Sequence, residues 1–186
     1  MDQGLVLRAQ RGDQRAFESL ADEAYARLYR LAHGILRDGA MADDATQQAL
    51  VSIWRNLPRL REPARFEGWC YRLLVNACHD QARRAPSWIY MDAARVHEPI
   101  AKDDISLVAE RAVLGQGLAR LSLDQRTVLA LRYLLDLTPD EIADTLEIPR
   151  KTVYSRLQRA TASLRAVLEA ESRPVLSPAV PGEANR

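Results

Sequence analysis

Apolar residues recur at helical spacing from Leu5 to about Arg84, with Pro and Gly placed mainly at the breaks, a pattern that predicts several packed helices and no strands. Phe17, Leu20, Ala24, Leu28, Leu31 and Ile35 form one stripe, which Gly39 ends. A second helix is expected from Asp43 or Asp44, carboxylates that can cap free amides; it turns Ala45, Ala49, Ile53 and Leu57 inward and stops at Pro58. Residues 59–65 read as a loop. Phe66, Trp69, Leu73 and Ala77, with Cys70, Leu74 and Cys78 beside them, mark a third helix that ends around Arg84, before Pro86. Residues 85–104 lose the periodicity, hold two prolines and carry two basic against four acidic residues, which reads as a linker. Helical spacing resumes at Ile105 and lasts to about Ala170; the last sixteen residues hold three prolines and predict a disordered tail. The expected fold class is therefore all-α, two small helical domains joined by a flexible linker. The boundaries are 1–84, 85–104 for the linker, 105–170 and 171–186 for the tail.

The strongest local signal lies in LTPDEIADTLEIPRKTVYSRLQRATASLRAVL, residues 137–168. Thr138 is placed to cap a short helix, Pro139 to occupy its first position and Glu141 to complete a capping box, with Ile142, Ala143 and Leu146 as the buried face. A turn at Glu147 and Ile148 follows, and Pro149 opens a longer helix whose inward positions are Val153, Leu157, Ala160 and Leu164. This is the grammar of a helix-turn-helix, placed in the second domain.

Charge segregation gives that motif a chemistry. Residues 136–147 hold five acids and no base, whereas residues 150–168 hold five bases and no acid. Lys151, Ser155, Gln158 and Arg159 lie opposite the buried stripe, with Arg150 and Tyr154 beside them at the amino end, where a recognition helix meets base edges. Arg and Lys can bond guanine or phosphate, and Gln can address adenine. A solvated basic face is the alternative reading; the capped helix, short turn and basic second helix together favour DNA binding.

Composition narrows the rest. The 186 residues are 47% hydrophobic and 27% charged with a net charge of +1, which excludes collagen, bulk disorder and a polycation. Only Lys102 and Lys151 are lysines among 26 basic residues, so arginine, the side chain suited to bidentate contacts, dominates. Cys70 and Cys78 make no disulfide framework; eight residues apart on one helix, they are too far along its axis to pair and read as packing thiols. With no signal peptide or membrane span in the pattern, a cytoplasmic protein is expected. No Gly-rich phosphate loop, metal cluster or nucleophile elbow is present, so no enzyme, cofactor, metal or small-molecule substrate is expected.

LTPDEIADTLEIPRKTVYSRLQRA resembles the upstream-element-binding helix-turn-helix of extracytoplasmic-function (ECF) sigma factors, small bacterial initiation factors. In the amino half, DDATQQALVSIWRNLPRL followed by FEGWCYRLLVNACHDQARR is similar in order and spacing to that family's helices for polymerase binding and promoter melting. The resemblance spans about residues 5–168. It implies that Asp44, Gln47, Gln48 and Trp54 dock on the clamp helices of the largest subunit of core RNA polymerase. It also implies that the loop 59–65 and the following helix capture an unstacked base of the downstream promoter element. Arg59, Arg61 and Arg65 supply charge for single-stranded backbone. Arg72, Asn76, His79 and Arg83 follow at spacings of four, three and four and share one face opposite the Trp69 and Leu73 stripe. Tyr71 either stacks on a base or packs between helices. The sequence departs from the family at Gln48, often acidic, at Ala45, often a bulky aliphatic, and at Glu147, often glycine, which predicts a strained or differently shaped turn.

The implied protein is a dissociable specificity subunit that binds core polymerase and promoter DNA, does no chemistry of its own and has an anti-sigma factor as a further partner. A stand-alone helix-turn-helix regulator and a protein adaptor are the competing classes. The first should dimerise and bind palindromic DNA alone; the second has no use for a basic recognition helix.

Overall fold

The computed structural model describes residues 2–84 and 105–171, and every regular element among them is helical. The amino-terminal half holds α1 (Gln3–Gln10), α2 (Gln14–Leu36), α3 (Gly39–Asn56) and α4 (Phe66–Arg84), with 3-10 turns at Leu57–Arg59 and Pro63–Arg65 between the last two. The carboxy-terminal half holds α5 (Ile105–Ala119), α6 (Leu123–Leu134), α7 (Pro139–Leu146) and α8 (Arg150–Glu171). The expected linker over residues 85–104 and the tail beyond Glu171 lie outside the described residues. No helix among the described residues is long and apolar enough to cross a membrane.

Side-chain caps set most of the helix starts. Asp13, Asp38, Ser122 and Thr138 each accept a hydrogen bond from the amide three residues on, which satisfies one of the four first-turn donors that a helix leaves open. The cap at Asp38 corrects two expectations. Gly39 does not end α2, and α3 does not begin at Asp43 or Asp44. Instead α2 stops at Leu36, Arg37 takes the left-handed conformation at φ 60°, and Asp38 accepts from the Met41 amide at 2.7 Å, so Gly39 becomes the first residue of α3. Pro58 does stop α3, but as part of a 3-10 turn that Gln10 anchors, its side-chain amide donating to the carbonyls of Leu57 at 3.2 Å and Leu60 at 2.7 Å.

Leu20, Leu28, Leu31 and Ile35 of α2, Ala45, Ala49 and Ile53 of α3, and Leu74 and Cys78 of α4 form the core of the amino-terminal half. Phe17, expected in the same stripe, is only partly buried and lies against Trp54 with ring centroids 4.7 Å apart. The core does not end at the domain boundary. It runs on through Val128, Ala130 and Leu131 of α6, Ile142 and Ala143 of α7, and Val153 of α8. Each such Leu or Ile contributes about 1.5–3 kcal/mol when fully removed from water, so the two halves meet through a real apolar interface. A second, smaller cluster of Leu121, Leu129 and Ala160 ties α6 to α8. There α5 crosses α8 at Gly117, where a Cβ would fall 2.9 Å from Leu164 Cδ2.

Candidate nucleic-acid interface

Every step from Leu137 to the start of α8 follows from local chemistry. The Thr138 hydroxyl accepts from the Glu141 amide at 3.2 Å while the Glu141 carboxylate accepts from the Thr138 amide at 2.8 Å, a complete capping box. Those bonds favour the ionised form and hold the Glu141 carboxyl below its ordinary range. Ile142 and Ala143 are buried as expected, and Leu146 is partly buried against the same core. At the turn, the amides of Glu147 and Ile148 both donate to the Ala143 carbonyl, and Glu147 sits at φ 53°, ψ 42°. The turn therefore has the left-handed shape that glycine takes most easily, adopted here by a residue with a side chain. A side chain at that backbone position is strained.

Pro149 accepts from the amides of Thr152 and Val153 and so opens α8. Val153 and Ala160 are buried, and Leu157 and Leu164 partly so, which turns the opposite face outward. Arg150, Lys151, Tyr154, Gln158 and Arg159 are exposed and Ser155 is half-buried. Tyr154 is 56% exposed. The acidic helix α7 serves as scaffold: Asp140 pairs with Arg150 at 3.1 Å. Arg156 points the other way, toward Asp124 of α6 at 2.5 Å, and belongs to the packing side of the helix.

The second array lies on α4 and the turns before it. Arg59, Arg61 and Arg65 are exposed, with Arg65 paired to Glu62 at 2.8 Å. The row of Arg72, Asn76, His79 and Arg83 does share one face, but that face looks into a cleft of about 690 Å³ between α4 and the carboxy-terminal half. Arg72 pairs with Glu147, His79 lies 3.8 Å from Asp124, and Arg83 pairs with Asp80 on its own helix. Asn76 is exposed. Burial in the cleft disfavours the imidazolium and lowers the His79 pKa, against the opposing pull of Asp124. Tyr71 does not join the row. It is 7% exposed, and its hydroxyl accepts from Arg27 at 3.3 Å, so its ring packs between helices and is not presented for stacking.

A third face is the outer side of α3. Asp44 and Gln47 are exposed, Gln48 is half-buried, and Trp54 is 40% exposed beside Phe17. Val51, 48% exposed, completes this stripe; its spacing of four from Gln47 and three from Trp54 could have placed it there from sequence. Asp43 organises the surface: it accepts from Tyr25 at 2.6 Å and from Gln47 at 2.9 Å, and it holds the Tyr25 phenol above its ordinary pKa.

Three residues with structural roles went unassigned in the sequence: Arg126, Asp124 and Arg156. All three act between elements distant in the chain, and no local pattern marks them. Cys70 and Cys78 are buried free thiols, and burial pushes Cys78 up to about 12 and Cys70 in the same direction, as suits packing. Among the described residues no cluster of His, Cys, Asp and Glu could hold a metal ion.

Comparison with known proteins gives the family of the chain. Residues 20–87 match the sigma-70 region 2 family and residues 111–164 match sigma-70 region 4. The ECF RNA polymerase sigma factor SigM of Mycobacterium tuberculosis is 34% identical over 84% of this chain and 79% of its own length. The RNA polymerase sigma-H factor of Pseudomonas aeruginosa is 32% identical over 90% of this chain and 94% of its own. Among solved structures, CnrH in complex with the cytosolic domain of CnrY superposes with a TM-score of 0.69 at 27% identity, covering 92% of this chain and 99% of CnrH. Two matched regions in the right order, on a shared fold, establish that the chain belongs to the ECF family of RNA polymerase sigma factors and directs transcription initiation.

Proposed function

We propose that the three faces divide the work of initiation. The outer side of α3, through Asp44, Gln47, Gln48 and Trp54, docks on the clamp helices of core RNA polymerase. The domain 1–84 melts the downstream promoter element: Arg59, Arg61 and Arg65 follow the single-stranded backbone, and Arg72, Asn76, His79 and Arg83 hold the opened strand. The domain 105–170 reads the upstream element with Arg150, Lys151, Tyr154, Ser155, Gln158 and Arg159. Polymerisation belongs to the core enzyme, and the protein works in the cytoplasm. The observation that carries this reading is the exposed basic face of α8, buried side inward and acidic scaffold behind it, in a chain that also carries region 2. A stand-alone regulator accounts for α8 alone and leaves region 2 without a purpose.

An anti-sigma factor is the further partner. What supports it is the exposed apolar side chains a partner would cover, Val51, Trp54 and Tyr133 among them, together with the capture of CnrH bound to a cytosolic partner domain.

The test is reconstitution with sigma-free core polymerase on a promoter-fragment library of the source genome, mapping transcript starts with and without the protein. Defined starts sharing two spaced upstream motifs are expected. Arg150→Ala or Lys151→Ala should weaken upstream recognition and Asn76→Ala should impair melting, all with core binding intact. Equal loss of core binding in all three variants would contradict the division of labour.

A further inference from the structure

The loop between α3 and α4 is held from outside itself. Leu57 and Phe66 are buried and anchor its two ends in the amino-terminal core, while Arg59, Arg61 and Arg65 stand exposed between them. Each 3-10 turn closes on one backbone bond, the Leu60 amide donating to the Leu57 carbonyl at 3.1 Å and the Arg65 amide to the Glu62 carbonyl at 2.9 Å. Among the described residues no backbone hydrogen bond joins one turn to the other. Leu60 leaves the first turn with extended backbone, and only Arg61 and Glu62 separate it from Pro63, where the second turn begins. The direction of the Leu60 carbonyl therefore sets the course of the chain through Arg61.

Gln10, at the end of α1, fixes that carbonyl from 50 residues away. Its side-chain amide has two N–H bonds and spends them on the carbonyls of Leu60 at 2.7 Å and Leu57 at 3.2 Å. Both partners accept, so only a side chain that donates can make this contact. The place of Gln10 is itself determined. Val6 and Ala9 bury the inner face of α1, which packs against both 3-10 turns. Gly12 then takes φ 91°, a backbone that side chains resist, and Asp13 caps α2 while accepting from Arg8 at 2.7 Å. Gln10 is half-buried beside this tight connection.

We propose that Gln10 is a positioning residue for strand opening. By holding the Leu57 and Leu60 carbonyls it fixes where Arg59 and Arg61 stand relative to the start of α4, and so which base of the downstream element the loop accepts. Gln10 acts through the loop, since both of its donors are spent on the chain. This rests on the reading of residues 59–65 as the base-capturing loop.

Two variants of the full-length protein test it. Gln10→Met keeps the length and the apolar stem and removes both donors; Gln10→Lys puts donors back on a stem of similar length. In the free protein, tryptic cleavage after Arg61, followed by mass spectrometry, should be about threefold or more faster in Gln10→Met than in wild type and return toward the wild-type rate in Gln10→Lys. Equal rates in all three proteins would mean that the loop keeps its course without Gln10, which overturns the proposal.

Base selection is the readout that a merely structural role would not move. On a promoter recovered by the reconstitution above and randomised at its downstream element, wild type with core polymerase should enrich one base at the captured position. Gln10→Met should reduce that preference by about fivefold or more, Gln10→Lys should recover most of it, and both should bind core polymerase as wild type does. Arg61→Ala serves as the reference, because the loop reading by itself requires that it weaken opening. If Arg61→Ala impairs opening and Gln10→Met leaves base preference intact, the loop reading stands and Gln10 is only a tie between elements. If neither variant changes opening or base preference, the loop reading falls and takes the proposal with it. Loss of core binding in step with opening in Gln10→Met would assign Gln10 to folding and overturn its positioning role.

Discussion

The faces of α8 and α4 are both built from arginines and amides on a helix, yet they stand in opposite conditions. On α8 the basic residues Lys151 and Arg159 project from a helix whose buried side is anchored by Val153 and Ala160, and solvent meets them directly. On α4 the corresponding row lines a cleft whose opposite wall carries Glu147, Asp124 and Arg156. Spacing on a helix decides which residues share a face; the tertiary partner decides whether that face is available. A surface that only recognises duplex DNA can stay exposed at little cost, since a few arginines alone give weak, salt-sensitive binding.

The most damaging way to break this contrast is to empty the helix-turn-helix core. Ile142 is fully buried, and Ile142→Ala should cost about 2–5 kcal/mol of stability by loss of transfer energy and cavity formation, read as a lower midpoint in denaturant melts. Upstream-element binding should fall with it, because α7 no longer fixes the angle of α8. Arg126→Met comes next. It keeps the apolar stem but leaves the Ile35 and Leu121 carbonyls without their charged donor, a loss of about 1.5–3 kcal/mol for each charge-assisted bond that water does not replace. Because opening the interface rehydrates the Ile35 carbonyl, much of that loss should appear as a shift from closed to open, visible in scattering before global unfolding. A melt with no expansion would show Arg126 to be only structural.

These two residues also mark what the chain reveals locally and what it does not. The helix-turn-helix is legible because each signal is short range: Thr138, Pro139 and Glu141 specify one helix start, and their bonds span three residues. The exposed face of α8 follows from the same helical wheel. Even short-range signals compete, however, and Asp38 outranked Asp43 and Asp44 as a cap because Arg37 could turn left-handed just before it. Arg126 finds its acceptor 91 residues away, and nothing in its neighbourhood distinguishes it from a solvated arginine. Tyr71 fails for a related reason. Helical spacing puts it beside Arg72, but only the position of α2, with Arg27 meeting its hydroxyl, decides that the ring turns inward.

Single-residue changes on the exposed face of α8 should be smaller and more selective. Lys151→Ala or Arg159→Ala should lower upstream-element affinity by about 1–3 kcal/mol where a base edge is read, relaxing specificity at one position. If the contact is only to phosphate, the loss is spread evenly over sequences and the salt slope falls by about one. Titration of each variant against promoter and scrambled duplexes at several salt concentrations separates the two. Folding should be unaffected, since neither side chain is buried. Glu147→Gly is smaller again. Releasing the left-handed strain should return about 1–2 kcal/mol, while loss of the largely exposed pair with Arg72 removes about 1 kcal/mol or less. Net stability should rise slightly even as the contact between α4 and the turn before α8 is lost, read as a small rise in the denaturant midpoint.

The smallest expected effect is the pH dependence of the packing between the two halves, carried by His79. Its imidazole faces Asp124 on α6 and Arg156 on α8, with Asp80 and Arg83 beside it on α4. Burial lowers its pKa most, the two arginines push the same way, and the two aspartates only partly offset them. An opened chain returns the imidazole to water, where its pKa recovers toward about 6.5. Between the depressed closed-state value and that ordinary one, the open form binds more protons than the closed form, so falling pH favours opening. Stability of the closed form is thus fully present above the ordinary histidine pKa and is lost as pH falls through the depressed one. Scattering of the free protein between about pH 7.5 and pH 6 should show a modest increase in radius, and His79→Gln should flatten that change while leaving the radius at the upper end unaltered. A radius that shrinks on acidification would mean that the pull of Asp124 outweighs burial and that His79 fastens the cleft in its charged form.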